Sequence, residues 1–157
     1  MLGKIVPEPE AAIIRNAYAQ QRIVFTNGCF DLLHVGHVRY LTAAKQLGDI
    51  LVVGLNSDAS VRLLKGADRP INPESDRAEI LAALTAVDHV VIFPEMRVTR
   101  LVSSLQPDMY VKGGDYSVDS LDQGEVEALK SVGAEIKILP LVPGRSTTQL
   151  IEAIQKT

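Results

Sequence analysis

The segment Arg22–Thr26 (RIVFT) runs directly into Asn27-Gly28-Cys29-Phe30-Asp31-Leu32-Leu33-His34-Val35-Gly36-His37. A short aliphatic run, a polar turn with glycine, and then Val38, Leu41, Ala44 and Leu47 at three-residue spacing read as strand, loop and helix. Working outward, similar short runs recur at Ile50–Leu55, His89–Phe93, Met109–Lys112 and Glu135–Leu139. They are too evenly apolar to leave one face wet, so each is expected to be covered on both sides. Ile80, Leu81 and Leu84 after Pro73, and Leu150, Ile151 and Ile154 near the C-terminus, carry helical spacing. The alternation predicts an α/β fold: an open five-stranded parallel sheet, helices on both faces, joined by right-handed crossovers. Residues 1–20 are expected to be a helical extension entered after Pro7 and Pro9, with Ile14 and Tyr18 one turn apart. No repeat, low-complexity tract or linker interrupts the chain, so residues 1–157 are expected to be a single domain.

Composition bounds what such a domain does. With 157 residues, 46% hydrophobic and 22% charged, the chain can bury a core without disulfides or metal staples. Its 16 basic against 19 acidic residues give a net charge of −3, which offers nucleic acid no general attraction. No apolar run approaches the ~20 residues of a membrane span, and the N-terminus lacks a signal-peptide pattern, so a cytoplasmic protein without membrane partners is expected. One cysteine supplies neither a disulfide framework nor a zinc site.

The polar and glycine-rich residues fall just after the strands, on the rim where open α/β sheets bind ligands. His34 and His37, two of only three histidines, stand three apart where a helix begins. Gly36 between them lets a ligand approach the backbone. Helix N–H groups, the helix dipole and two imidazoles would together cradle a polyphosphate, whereas packing or capping alone leaves this pairing of rare residues unexplained. A zinc reading is weaker still, because no third thiol or imidazole has ligand spacing. In the preceding loop, Gly28 permits a tight turn, Phe30 is expected to pack, and Cys29 to line the core. Asp31 either caps the turn or helps order Mg²⁺ and phosphates. Near the C-terminus, Ser146 and Gln149 have capping-box spacing, and Thr147 and Thr148 behind Gly144 and Arg145 add donors for a second anion contact. Arg77 shares the apolar face of its helix with Ile80, Leu81 and Leu84, so its guanidinium needs an anionic partner from the protein or from a ligand. Lys65 reads either as a surface lysine or as a mobile phosphate clamp. Lys112-Gly113-Gly114-Asp115 either is a plain tight turn or presents a carboxylate to ribose hydroxyls. His89 reads as structural.

Together GCFDLLHVGH, LNSD, the Lys65–Arg77 loop, VKGGDY and GRSTT resemble the HxGH nucleotidyltransferase superfamily of cytidylyltransferases and adenylyltransferases, from about Arg22 to the C-terminus. HxGH alone is shared with class I aminoacyl-tRNA synthetases, which are far longer. NSDASVRLLKG, RPINPESDR and PDMYVKGGDY are most similar to the branch that forms ADP-heptose from D-glycero-β-D-manno-heptose 1-phosphate.

The resemblance implies a Rossmann-like fold and in-line transfer of an adenylyl group from ATP to a sugar 1-phosphate. It implies that His34, His37, Thr147 and Thr148 hold the triphosphate with Mg²⁺, which is bound mainly through the phosphates rather than by a protein metal site. Lys65 and Arg77 would offset repulsion between the two substrates, and Asn56, Asp58, Gly113 and Asp115 would line the nucleotide and sugar pockets. Asn27, Gly28, Cys29, Phe30, Asp31, Gly36, Lys112, Arg145 and Ser146 complete the nucleotide-binding rim. A homodimer and a separate sugar kinase are further implications, since this domain is often fused behind such a kinase. The chain departs from glycerol-3-phosphate cytidylyltransferases, which carry an arginine three residues before the glycine of the Gly-x-Ser-Thr-Thr motif. Leu141 stands there, and Arg145 is the candidate replacement. The alternatives are CTP with glycerol 3-phosphate or another phosphorylated acceptor, and a non-catalytic nucleotide-binding module, which would not need the paired histidines.

Overall fold

Six parallel strands form one sheet in the order β1-β4-β3-β2-β5-β6, in a computed structural model that describes residues 2–114, 117–140 and 143–157. The strands are β1 (Ile5–Pro7), β2 (Ile23–Gly28), β3 (Ile50–Asn56), β4 (His89–Phe93), β5 (Met109–Gly113) and β6 (Glu135–Leu139). The helices are α1 (Ala11–Ala17), α2 (Val35–Lys45), α3 (Asp58–Lys65), α4 (Glu74–Ala82), α5 (Thr99–Leu105), α6 (Gln123–Ser131) and α7 (Thr147–Gln155). None of them is long and apolar enough to cross a membrane.

The sheet has six strands rather than the expected five. The sixth is β1, inside the segment read as a helical extension, where only Ala11–Ala17 is α-helical. Three residues ending at a proline carry too little periodicity to announce a strand. At the sheet edge the ladder tolerates Pro7, and Ile5, Val6 and Pro7 pair with Val90, Val91 and Ile92 of β4.

Helices cover both faces. On one, α1, α5 and α6 bury Ile14, Leu101, Leu105 and Leu129 against Phe25, Val52, Val91 and Tyr110. On the other, α2 and α4 bury Leu41, Ala44, Ala78 and Leu81 against Val24, Leu51, Val53 and Val90. Neighbouring strand residues alternate between the two clusters, as a pleated strand requires, and all seven residues of β3 are buried. Of the periodic residues, Val38 and Ile80 lie exposed, while α7 buries none of its residues.

Successive strands step outward from β2 through β3 to β4, then the chain returns to the other side of β2 for β5 and β6. The order therefore reverses between β2 and β5, the point at which such sheets open a ligand crevice at their carboxyl ends. Pairing shows the opening directly. The ladder of β2 with β3 runs from Ile23↔Ile50 to Gly28↔Leu55, whereas β2 pairs with β5 only at Val24↔Met109 and Phe25↔Tyr110. Beyond that point Tyr40 of α2 spans the gap, its hydroxyl 2.7 Å from Thr26 Oγ1 and donating to the Val111 carbonyl at 3.0 Å. A side chain at Gly113 would collide with the Tyr40 ring.

Arg77 holds the strand ends in place. Its side chain is fully buried and donates to four acceptors: the carbonyls of Cys29 (2.7 Å), Asn56 (2.8 Å) and Asn72 (2.9 Å), and the Asp58 carboxylate (2.8 Å). These acceptors sit just past β2, at the end of β3, in the 66–73 loop and in the first turn of α3. Arg77→Met is expected to lose about 3–5 kcal/mol, because it orphans buried carbonyls and the carboxylate together. Arg77→Lys is expected to recover little, since one ammonium nitrogen cannot span this fan of acceptors. Urea unfolding checks both; a loss under about 1 kcal/mol for Arg77→Met defeats the assignment.

Candidate active site

A cavity of about 540 Å³ opens at the carboxyl ends of β2, β3 and β5, at the reversal of strand order. Nearly all the residues expected from the sequence meet there: Asn27 to Asp31 from the β2 exit, His34, Gly36 and His37 from α2, Asn56 and Lys65 from β3 and α3, Lys112 and Gly113 from β5, and Arg145 to Thr148 at the start of α7. Arg77 and Asp58 do not line it. They bond each other beneath it, which answers the choice the sequence left open: the partner of Arg77 comes from the protein. Asp115 and Leu141 lie outside the described residues.

The histidine pair is built by helix capping. His34 is the N-cap of α2, and its Nδ1 accepts the Gly36 N–H at 3.1 Å. His37 Nδ1 in turn accepts the His34 N–H at 3.3 Å. The Gly36 N–H is thus already taken and is not free for a ligand. Capping nevertheless decides the chemistry of the rings. An imidazole that accepts at Nδ1 carries its hydrogen on Nε2, so both histidines keep one donor each at the far ring edge. The rings stack with centroids 3.9 Å apart, and Phe30 packs edge-on against His37 at 5.3 Å. Burial, and then the neighbouring His34, push the His37 pKa down to about 4. Burial and Arg145 lower that of His34. Near neutral pH both rings are uncharged Nε2–H donors.

Gly36 makes room for this pairing. A Cβ there would sit 2.7–2.8 Å from the rigid His34 ring. Phe30 adopts a left-handed backbone conformation with φ 45°, uncommon for a bulky residue, at the bend that carries the chain from β2 to α2. A Cβ on Gly28 would strike the Phe30 ring at 2.9 Å, so the two residues form one compact turn.

Asp31 takes the structural side of its two expected roles. Its carboxylate accepts from Arg69 Nε (2.9 Å) and from the N–H groups of Ile71 (2.9 Å) and Asn72 (3.0 Å). Burial alone would raise its pKa, but these donors outweigh burial and lower it. The 66–73 loop is thereby fastened to the β2 exit. Asn56, almost wholly buried, directs its amide nitrogen to Ser60 Oγ at 3.2 Å. Asn27 Oδ1 accepts from the Tyr110 hydroxyl. Cys29 is half-buried, and burial raises its thiol pKa, which fits a lining residue rather than a nucleophile.

At the start of α7, Ser146 caps the helix by accepting the Gln149 N–H at 3.0 Å. Thr147 donates its hydroxyl to the Leu32 carbonyl at 3.0 Å, tying α7 to the loop that carries the histidines. The Thr147 proton is thereby committed to the protein, while Thr148 and Arg145 lie exposed at the cavity. Lys65 stands exposed at the cavity edge.

Tyr40, Leu64, Arg69, Met96, Arg97 and Glu125 also line the cavity without having been singled out by sequence. Tyr40 follows His37 by three residues and so shares its helix face, a signal that was there to read. Met96, Arg97 and Glu125 come from elements whose approach depends on the fold of the whole sheet, and no local pattern marks them.

Residues 25–153 match the cytidylyltransferase-like family. The bifunctional protein HldE of Geotalea uraniireducens is 55% identical over 146 residues, covering 92% of this chain and 29% of that protein. The bifunctional protein HldE of Geobacter sulfurreducens is 52% identical over 147 residues, covering 93% and 30%. The chain thus spans about a third or less of the curated relatives it matches. A solved structure of a lipopolysaccharide core biosynthesis protein from Thermoplasma volcanium is 30% identical, covers 78% of this chain and 97% of that one, and superposes with a TM-score of 0.64. Pantothenate synthetase from Thermus thermophilus, at 15% identity, 98% and 70% coverage and TM-score 0.65, shares the fold. Family match, close relatives and a phosphate-suited cavity at the strand reversal agree with the resemblance read from the sequence: the chain belongs to the cytidylyltransferase-like family and is a nucleotidyltransferase.

Proposed function

We propose that this nucleotidyltransferase moves an adenylyl group from ATP to a sugar 1-phosphate, D-glycero-β-D-manno-heptose 1-phosphate, giving ADP-heptose and pyrophosphate. The observation that carries the reading is the pair of neutral Nε2–H imidazoles beside the start of α7, where a Cβ at Gly36 would stand 3.3 Å from the Arg145 Cβ. Two anion-binding walls suit a triphosphate. The adenylyl and heptose identities are supported by the HldE relatives and by the motifs NSDASVRLLKG, RPINPESDR and PDMYVKGGDY.

An oxygen of the sugar phosphate attacks the α-phosphorus, the bond from that phosphorus to the bridging oxygen breaks, and pyrophosphate departs with the electron pair. The nucleophile is already anionic at neutral pH, so no side chain has to remove a proton. His34 and His37 donate to phosphate oxygens on which charge builds, and the α7 N-terminus with Arg145 and Thr148 holds the departing pyrophosphate. Lys65 offsets repulsion between the two anionic substrates. Arg77 acts at one remove, by fixing the strand ends on which these groups stand. Mg²⁺ would be held chiefly by the triphosphate oxygens, screening their charge.

Pyrophosphate release with Mg²⁺ tests the reading, offering ATP or CTP against β-heptose 1-phosphate or glycerol 3-phosphate. Turnover with ATP and heptose phosphate alone is expected. CTP with glycerol 3-phosphate would keep the mechanism and replace the substrates, and folded protein that binds ATP without turnover on any pair would return the chain to a binding module.

His37→Ala is expected to lower kcat by about 10²–10³-fold, the usual effect of removing one preorganised donor. Survival of turnover within about threefold defeats the role. The neutral state of the donors is checked by following the imidazoles by ¹⁵N NMR. His37 should titrate at about 4, in the Nε2–H tautomer, and a midpoint at or above 6.5 would contradict this. The sign for stability follows. A histidine whose folded pKa lies below its unfolded value contributes fully above about 6.5 and loses that contribution as pH falls toward 4.

A further inference from the structure

Glu125 is a buried carboxylate in the wall of a cavity whose other carboxylate, Asp31, is already paired with Arg69. It lies in the first turn of α6, is 6% exposed, and lines the cavity beside Met96 and Arg97. Its Oε1 accepts the Val98 N–H at 3.2 Å, where α5 begins. Among the described residues no cation lies within ion-pair distance of it; Arg97 leans instead toward Asp122, at 3.8 Å. Among the described residues no other donor reaches its second oxygen. Yet no buried polar side-chain atom among the described residues lacks a partner, so Oε2 is not sealed in protein and opens to the cavity.

A carboxylate only accepts hydrogen bonds, and it repels phosphate. In a cavity with Lys65, Arg69 and Arg145 on its walls, Glu125 marks the place of an uncharged, hydroxyl-bearing part of a ligand. Its neighbours fix which part. Met96 and Arg97 follow β4, and Asn56, at the end of β3, is tied to that segment through the Glu95 carbonyl. The segment after β4 and α6 carry none of the residues assigned above to the triphosphate, which stand on α2 and α7. We propose that Glu125 is a specificity-determining residue whose Oε2 accepts hydrogen bonds from hydroxyl groups of the acceptor sugar. The assignment rests on the sugar-phosphate reading.

Glu125→Gln tests it, because the amide keeps an oxygen for the Val98 N–H while removing the charge and turning the second position into a donor. For heptose 1-phosphate the KM is expected to rise about 10- to 100-fold, with the KM for ATP held within about twofold, as for loss of one charge-assisted hydrogen bond to one substrate. An unchanged KM for the heptose phosphate assigns Glu125 to capping α5 alone and overturns the proposal, leaving the sugar-phosphate reading intact. A raised KM for ATP with lost discrimination between ATP and 2′-deoxy-ATP places the carboxylate on the ribose and also overturns it. If the wild-type protein turns over no sugar 1-phosphate, the underlying reading fails and the assignment fails with it.

Discussion

The fan of four hydrogen bonds from Arg77 is the constraint on which the site depends. The carboxyl ends of parallel strands leave carbonyl groups without ladder partners wherever the strands part, and here the fold must part them to make a cavity. Burying such carbonyls without donors would cost a large share of a stability that for most domains is only about 5–15 kcal/mol. One planar guanidinium meets them from below, and Asp58 balances its charge. Asp31 does the complementary work from above, gathering Arg69 and two loop amides. The cavity floor is therefore a closed set of charge-assisted bonds, and the residues above it can be given to ligand.

The histidine pair shows how a structural role can prepare a chemical one. Each ring spends Nδ1 on the backbone at the start of α2, and that expenditure leaves Nε2 as a donor. Burial keeps the rings neutral, so they can bind phosphate by hydrogen bonding without adding two charges to a site that already holds several cations. Capping thus leaves the far edge of each ring available rather than using the ring up.

Most of the sheet was legible because each central strand is covered on both faces and so reads as a short aliphatic run. β1 was not, because three residues at an edge bury little and end at a proline. The periodicity of α7 was legible, but its apolar residues find no core, so periodicity there predicted the helix without predicting burial. Within the site, residues that follow strands directly, from Asn27 to His37, Lys112, Gly113 and Arg145 to Thr148, were legible because topology alone sends them to one rim. Arg77 was legible as a buried cation but not as to its partner. Three of its four acceptors are backbone carbonyls, which leave no mark in a sequence. Glu125 was invisible because its place depends on α5 and α6 packing together across the sheet.

Tyr40 sits one turn beyond His37 and reaches between β2 and β5, holding Thr26 on one strand and the Val111 carbonyl on the other. A phenol is a strut of fixed length, so the width of the crevice and the depth at which α2 sits are one variable rather than two. Strand separation at the crevice and the placement of the histidine helix are thus set by one aromatic ring.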